Sequence, residues 1–326
     1  MTDLKSPDPE RLDYEASVAA AKGEVRRLLK SAPALIRPMT SHLARAAGKM
    51  IRARTLLACA LGRDGSVSPD AVKAAAAVEL LHLATLVHDD ILDDAETRRG
   101  IDALHRKFGD KYAVLCGDFL FCTAIEFVST ADAPEHRKNA VDRSVPKYLT
   151  EVLMGELRQD QNYKNYSLSE REYFRIIKGK TAALFEASFY AGFLFSDEED
   201  AAKDSYREIG DTIGLIFQLN DDCADYEASE LLTKKPVLSD YSRGVVTLPL
   251  IHALKEDPSL IQKVEAGMEP AALKIAVEAA GGLSYTHTKA GRLYKKADTL
   301  IESLDIGAYK KALLKTLLRA ASGKTA

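Results

Sequence analysis

Apolar residues recur at intervals of three and four along most of the chain, as in Leu12, Ala16, Ala19 and Ala20 and again in Val25, Leu28 and Leu29. That spacing returns side chains to one face of an α-helix, so the pattern predicts a nearly all-helical protein. Start signals punctuate it. Ser68 followed by Pro69 has the form of an N-cap with proline at the first helical position, and Ser169 with Glu172 has the spacing of a capping box. From Asp70 to Arg99 there is neither Gly nor Pro, and AAAAVELLHLATLV is apolar nearly all round, which predicts a helix buried inside a bundle. The stretch from Tyr206 to Tyr226 is similar, although it carries Gly210 and Gly214. Loops are expected at Gly62 to Ser66, Thr130 to Pro134, Asp160 to Ser167 and Leu231 to Ser239. With no long linker and no repeat of fixed period, the expectation is one all-α domain over residues 1–326.

Charge changes this picture little: 45 basic residues against 48 acidic ones leave a net charge of −3. No overall field draws the chain onto nucleic acid or an anionic membrane, so anion binding has to be local. Cys59, Cys116, Cys122 and Cys223 form no CxxC pair and no zinc spacing, which suits free thiols in a reducing cytoplasm. The start, MTDLKSPDPERLDYE, is polar and acidic where a signal peptide is basic and then apolar. No apolar run is read as long enough for an integral membrane segment.

Candidate chemistry sits in two acidic clusters. The first is V87-H88-D89-D90-I91-L92-D93-D94. On a helix Asp89 and Asp93 are one turn apart, so their carboxylates project side by side and repel. A solvated acidic face would explain them blandly, but the most apolar stretch of the chain leads into them, and like charges at the end of a buried helix need a compensating cation. The second, F217-Q218-L219-N220-D221-D222-C223-A224-D225, repeats the DDxxD spacing with its own apolar approach. Carboxylates without nearby His or Cys select a hard divalent ion, and Mg²⁺ commonly bridges to substrate phosphates. The lack of alternating oxygen ligands and a central Gly excludes an EF-hand. Two facing carboxylate sets would hold a metal-bridged diphosphate.

Cations stand at matching places: Lys49 and Arg52, Arg98 and Arg99, then Lys178, Lys180 and Lys235. Any one of them alone is a surface charge; the set carries the argument. Arg98 and Arg99 follow Asp89 by nine and ten residues, at the far end of its helix or just past it, where guanidinium groups can fork onto phosphate oxygens. K178-G179-K180-T181 contains the GKT of a P-loop but lacks the earlier Gly and the preceding strand. His82 and His88, six apart, point in different directions on a helix, against a histidine-held metallohydrolase centre.

With these pieces in order, the chain from about Gly48 to Leu250 resembles the trans (all-E) isoprenyl diphosphate synthases of the polyprenyl synthetase family. H82-L83-A84-T85-L86-V87-H88-D89-D90-I91-L92-D93 with R98-R99-G100 is similar to the family's first aspartate-rich motif, and G214 to D225 to its second. G48-K49-M50-I51-R52 resembles the GKRxRP element, G117-D118 the GD step, K180-T181-A182 the KT motif, and D240 to G244 with T247-L248-P249 the segment after the second cluster. The resemblance implies the isoprenoid synthase fold, a bundle of long, mostly antiparallel helices around a central cavity, as a homodimer. It implies three Mg²⁺ ions on an allylic diphosphate, held by Asp89, Asp90, Asp93, Asp221 and Asp225 and helped by Arg98, Lys180 and Lys235. Isopentenyl diphosphate would lie on Lys49, Arg52, His82 and Arg99, with Thr181 and Gln218 beside the nascent cation. Three departures stand out: Met50 where Arg is frequent, Val245 where a Lys usually touches the allylic diphosphate, and an ending RAASGKTA without the terminal Arg of the family's flap. Arg243 is expected to substitute for the missing Lys.

In this family the residues one turn before the first aspartates, here Ala84 and Thr85, line the tunnel for the growing chain. Small Ala84 leaves it open; Leu81, Val78 and Ala77 come next, with a floor from a neighbouring helix such as Phe127 or Met154. A long-chain, octaprenyl-type product is favoured over a geranylgeranyl or farnesyl diphosphate. A terpene cyclase would carry Ser or Thr and Glu in the second motif, and a silent regulatory subunit would be expected to lose one cluster; this chain keeps both.

Overall fold

The computed structural model describes residues 11–46, 48–227 and 238–323. Apart from one two-stranded hairpin and an isolated bridge between Leu12 and Val67, the regular structure in these residues is helical, as the periodicity requires. The chain divides into two compact units, neither of them a continuous stretch. One is drawn from Met1–Val145, Ser188–Lys203 and Ile306–Lys310, the other from Pro146–Ala187, Asp204–Asp305 and Lys311–Ala326.

In the first unit, helices α1 (Tyr14–Lys30), α2 (Arg37–Leu43) and α3 (Ile51–Ala60) precede α4 (Pro69–Leu92). Helix α4 starts where its sequence says: Ser68 Oγ accepts the Ala71 N–H at 3.2 Å and Pro69 takes the first position. Its apolar surface is enclosed by α1, α3 and the later α6 (Asp110–Ser129), and Ala75, Ala76 and Leu80 are fully buried with Leu56 and Leu57 of α3. The helix ends at Leu92, short of the uninterrupted run to Arg99. Asp89, Asp90, Asp93 and Asp94 crowd its C-terminus, where the helix dipole is already negative. Asp93 caps it, and Asp94 turns the chain with a left-handed φ of 50°. Strands β1 (Thr97–Arg98) and β2 (Ile101–Asp102) then pair around Arg99 and Gly100, both at positive φ (51° and 80°), as a two-residue hairpin turn demands. Short α5 (Leu104–Phe108) leads into α6.

Helix α7 (Lys138–Gln161) carries Pro146 in its interior, and the boundary between the units falls there. In the second unit α8 (Glu170–Ile177) begins as predicted, Ser169 Oγ accepting the Glu172 N–H at 3.2 Å. It passes through a π-turn, Lys178–Ala182, into α9 (Ala183–Leu194). The π-turn lies against α7 so closely that a Cβ on Gly155 would stand 2.1 Å from the Lys180 nitrogen; only glycine permits that approach. Helix α10 (Lys203–Glu227) carries the second acidic cluster. After it come α11 (Ser239–Ser242), α12 (Leu248–Glu256), α13 (Leu260–Glu265), α14 (Pro270–Ala279), α15 (Gly282–Ser303) and α16 (Ala308–Ala321). Tyr173, Leu219, Leu248, Leu250, Leu273 and Val277 form the centre of this unit's apolar core.

The expectation that no apolar segment reaches membrane-spanning length is amended for two helices. Both α4 and α6 are long and apolar enough by length and composition. For α4 the cause is burial in its unit, 72% of the apolar window being covered; in α6 only 28% is.

Candidate active site

The first unit gathers its basic residues at one place. Arg99 is carried by the hairpin turn, Arg52 by the first turn of α3 and His82 by α4. The guanidinium of Arg99 lies over Gly48, where a Cβ would come within 2.6 Å of its Nη1. Burial pulls the pKa of half-buried Arg52 down to about 10, with Glu79 opposing and Arg99 adding to the fall. Arg99 is lowered by burial too, again against the attraction of Glu79. His82 is driven well below the usual imidazole range, first by burial and then by Arg52, Arg99 and Arg98. Positive charges packed this closely repel, and a polyanion relieves them. Lys49 is solvent-exposed next to them in the chain. Met50 is buried, with a left-handed φ of 54°, so it packs inward rather than offering a substitute cation.

The first acidic cluster is split by direction. Asp89 and Asp93 are half-buried and one turn apart, the Asp93 N–H donating to the Asp89 carbonyl at 2.8 Å. Asp90 is buried, and the forked guanidinium of Arg98 holds it, Nε donating to Oδ1 at 2.6 Å and Nη2 to the same oxygen. Burial raises the Asp90 pKa and Arg98 opposes the rise. One arginine of the pair thus serves the acid of its own motif and the other joins the basic group. His88 packs towards α6, its Nε2 3.2 Å from the Val114 carbonyl and 3.6 Å from Asp118 of the GD step.

In the second unit a hydrogen-bonded chain runs through the KT motif and the second cluster. Thr181 Oγ1 donates to Gln218 Oε1 at 2.6 Å, Gln218 Nε2 donates to Asp222 Oδ1 at 2.8 Å, and Tyr173 Oη donates to Asp222 Oδ2 at 2.5 Å. Lys180 is paired with Glu156 at 2.9 Å. Asp225 accepts from the Ser239 N–H and hydroxyl and from the Asp240 N–H, all within 3.1 Å, which docks α11 on the cluster. Asp240 accepts from Arg243 at 3.0 Å, so Arg243 reaches the carboxylates from the loop that lacks the expected Lys. Asp221 is exposed. Burial, then repulsion from Asp240, pushes Asp222 up to about 8; burial and Asp225 push Asp240 up to about 6. Lys235 lies outside the described residues.

Among the described residues no three His, Cys, Asp or Glu side chains converge as a preformed metal centre. The donor chemistry nevertheless fits magnesium: oxygen only, in two carboxylate groups, in one of which burial and then mutual repulsion raise the pKa of Asp222 and Asp240.

The match to a family model covers residues 33–278 and carries the description polyprenyl synthetase. The chain belongs to the polyprenyl synthetase family. It is 32% identical over 324 residues to the octaprenyl diphosphate synthase of Haemophilus influenzae, covering 96% of this chain and 95% of that one. Its fold matches the crystal structure of heptaprenyl diphosphate synthase from Staphylococcus aureus with a TM-score of 0.86 at 27% identity, over 96% and 99% of the two chains. It also matches a polyprenyl synthase from Caulobacter crescentus complexed with calcium and isoprenyl diphosphate, TM-score 0.83 at 28% identity, over 95% and 96%. The all-α isoprenoid synthase fold and a polyprenyl synthetase, an enzyme of prenyl transfer, are therefore what the sequence patterns pointed to.

Of the proposed chain-length residues, Ala84 and Leu81 are buried in the core of the first unit with Ala77 and Val78, while half-buried Thr85 donates its hydroxyl to the His82 carbonyl at 2.8 Å. Phe127 lies under Arg27, and Met154 is 41% exposed. Sequence reasoning missed Glu79, Tyr173 and Glu156, and it named Asp240 only as the start of the segment after the second cluster. A lone carboxylate inside the most apolar run was a usable signal for Glu79; nothing local marked Tyr173.

His82 makes the ligand-free protein sensitive to acid. Its pKa is depressed in the folded state, so below about pH 6.5 the unfolded chain takes up a proton that the folded one refuses. Stability is complete above that pH and is lost as pH falls, by up to about 1.4 kcal/mol per unit. In urea denaturation between pH 7.5 and 5, His82→Gln should lose less stability than the wild type; equal losses would contradict the assignment.

Proposed function

We propose that this protein is a trans-prenyltransferase that condenses isopentenyl diphosphate with an allylic diphosphate and makes a long-chain polyprenyl diphosphate. The observation that carries the proposal is how charge is distributed within each unit. Arg52 and Arg99 act on each other and on a His82 that burial keeps uncharged, with Glu79 the foremost attractive charge on both arginines, while Arg98 is held by Asp90 and Lys180 by Glu156. The first group suits a diphosphate bound by protein cations. The acidic clusters suit one bound through metal, Asp89 and Asp93 in one and Asp221 and Asp225 in the other supplying oxygen to Mg²⁺, three ions in all by the family pattern. Bound magnesium would neutralise the allylic diphosphate and favour its departure.

The allylic carbon–oxygen bond breaks with its electron pair on the diphosphate, leaving a delocalised carbocation. The homoallylic double bond of isopentenyl diphosphate attacks that carbon, and a proton leaves to the departed diphosphate, giving an allylic diphosphate five carbons longer. Arg52 and Arg99, with Lys49, hold the isopentenyl diphosphate so that its double bond is presented. Asp222 takes the Gln218 amide N–H and so turns the Gln218 oxygen to Thr181. The Thr181 hydroxyl gives its proton to that oxygen and offers lone pairs, not a proton, to a developing cation. Arg243, held on Asp240, stands in for the Lys replaced by Val245.

A long-chain product is supported by the octaprenyl and heptaprenyl relatives and by the small Ala84. Incubation with labelled isopentenyl diphosphate, an allylic primer and Mg²⁺ should extend the primer to about the octaprenyl class. Ala84→Phe should stop it at about the farnesyl class, one helical turn matching roughly one isoprene unit. A cyclic hydrocarbon, no elongation, or an unchanged product ladder in the variant would contradict the respective parts.

The exposed face of α6, with Tyr112, Leu115 and Ile125 about half exposed, fits a second copy of the chain and hence a homodimer. Sedimentation should give twice the chain mass at micromolar concentration, and Leu115→Glu should shift it towards the monomer; a monomeric wild type would end this reading.

A further inference from the structure

Helix α3 begins without the usual device for its first turn. Its N-cap is Met50, left-handed and with no side-chain oxygen to offer, so the first N–H groups of α3 need an acceptor from elsewhere. Glu79 supplies one. Its Oε1 accepts the Ala53 N–H at 3.0 Å, and the side chain is buried, the residue being only 6% exposed. A carboxylate at that end of a helix is favoured by the helix dipole. Arg52 directly precedes Ala53, and His82 follows Glu79 by one turn of α4. The same carboxylate is the foremost attractive charge acting on Arg52 and on Arg99.

We propose that Glu79 is a positioning residue for isopentenyl diphosphate: it ties the first turn of α3 to α4 and holds Arg52 and Arg99 in the arrangement that receives the diphosphate. The proposal rests on the assignment of that substrate to the arginine group. Glu79 is assigned no contact with the ligand. Its charge works against an incoming anion, so its presence makes sense only through what it does to the arginines. This gives a sign test. Removing the negative charge makes the pocket more positive, and if the arginines stayed in place the diphosphate would bind more tightly. If Glu79 positions them, binding weakens in spite of the extra positive charge.

The wild type is first shown to elongate a primer with saturable dependence on both diphosphates; failure there overturns the functional assignment and not this one. In Glu79→Gln the KM for isopentenyl diphosphate should rise roughly tenfold, the scale of one charge-assisted hydrogen bond, while the KM for the allylic diphosphate stays within about twofold. Glu79→Asp keeps the charge with a shorter reach, and its KM for isopentenyl diphosphate should rise less. Should the Gln variant fail to fold, the Asp variant decides: a rise confined to isopentenyl diphosphate supports the proposal. An unchanged or lower KM for isopentenyl diphosphate in the folded variant overturns it. So does a parallel rise for both substrates, which marks general disruption.

Discussion

Like charges forced together in a partly buried setting govern this structure. Four aspartates crowd the C-terminal end of α4 and the residues just past it, and four more carboxylates, Asp221, Asp222, Asp225 and Asp240, crowd the end of α10 and the start of α11. Cations crowd beside Gly48. In each grouping the repulsion between like charges grows as water is withdrawn. The protein answers part of each imbalance and leaves part standing. Arg98 compensates Asp90, Arg243 compensates Asp240, and Glu79 acts on Arg52 and Arg99. The proposed function assigns the aspartates to metal and the arginines to a polyanion.

Helix α4 gives that chemistry its geometry. Its buried apolar body sets the position of every group on it, from Glu79 and His82 through Ala84 to the aspartates at its end. The hairpin after it uses a non-glycine residue at positive φ, Arg99, to turn the chain and aim a guanidinium in one step. Among the described residues the five non-glycine positions with positive φ are Met50, Asp94, Arg99, Lys164 and Leu238, four of them adjoining the basic element or an acidic cluster. Strain of this kind persists where the surroundings hold it and where function needs an unusual direction.

Much of this was legible in the sequence. Ser68–Pro69 and Ser169–Glu172 marked helix starts because capping is local chemistry, and the DDxxD pairs stood out because acids at helical spacing after apolar runs violate the ordinary pattern. The end of α4 was not legible: no Gly or Pro interrupts the run to Arg99, and the break comes from accumulated negative charge at the helix terminus. The different fates of Arg98 and Arg99 follow from a turn whose type an Arg-Gly pair does not announce. Tyr173 joins the second cluster through a contact between distant segments, which no local spacing encodes. The membrane-length character of α4 and α6 was missed because isolated polar residues broke the apolar runs without lowering their overall hydropathy enough.

The central claim is that two diphosphates are neutralised by different means, one by protein cations and one through metal. Isothermal titration of the metal-free protein with isopentenyl diphosphate, and with a non-ionisable allylic diphosphate analogue, each repeated with Mg²⁺, tests it most directly. The account predicts that isopentenyl diphosphate binds without magnesium and that the allylic analogue binds tightly only with it. Equal magnesium dependence of the two ligands, or tight binding of the allylic analogue to the metal-free protein, would contradict it.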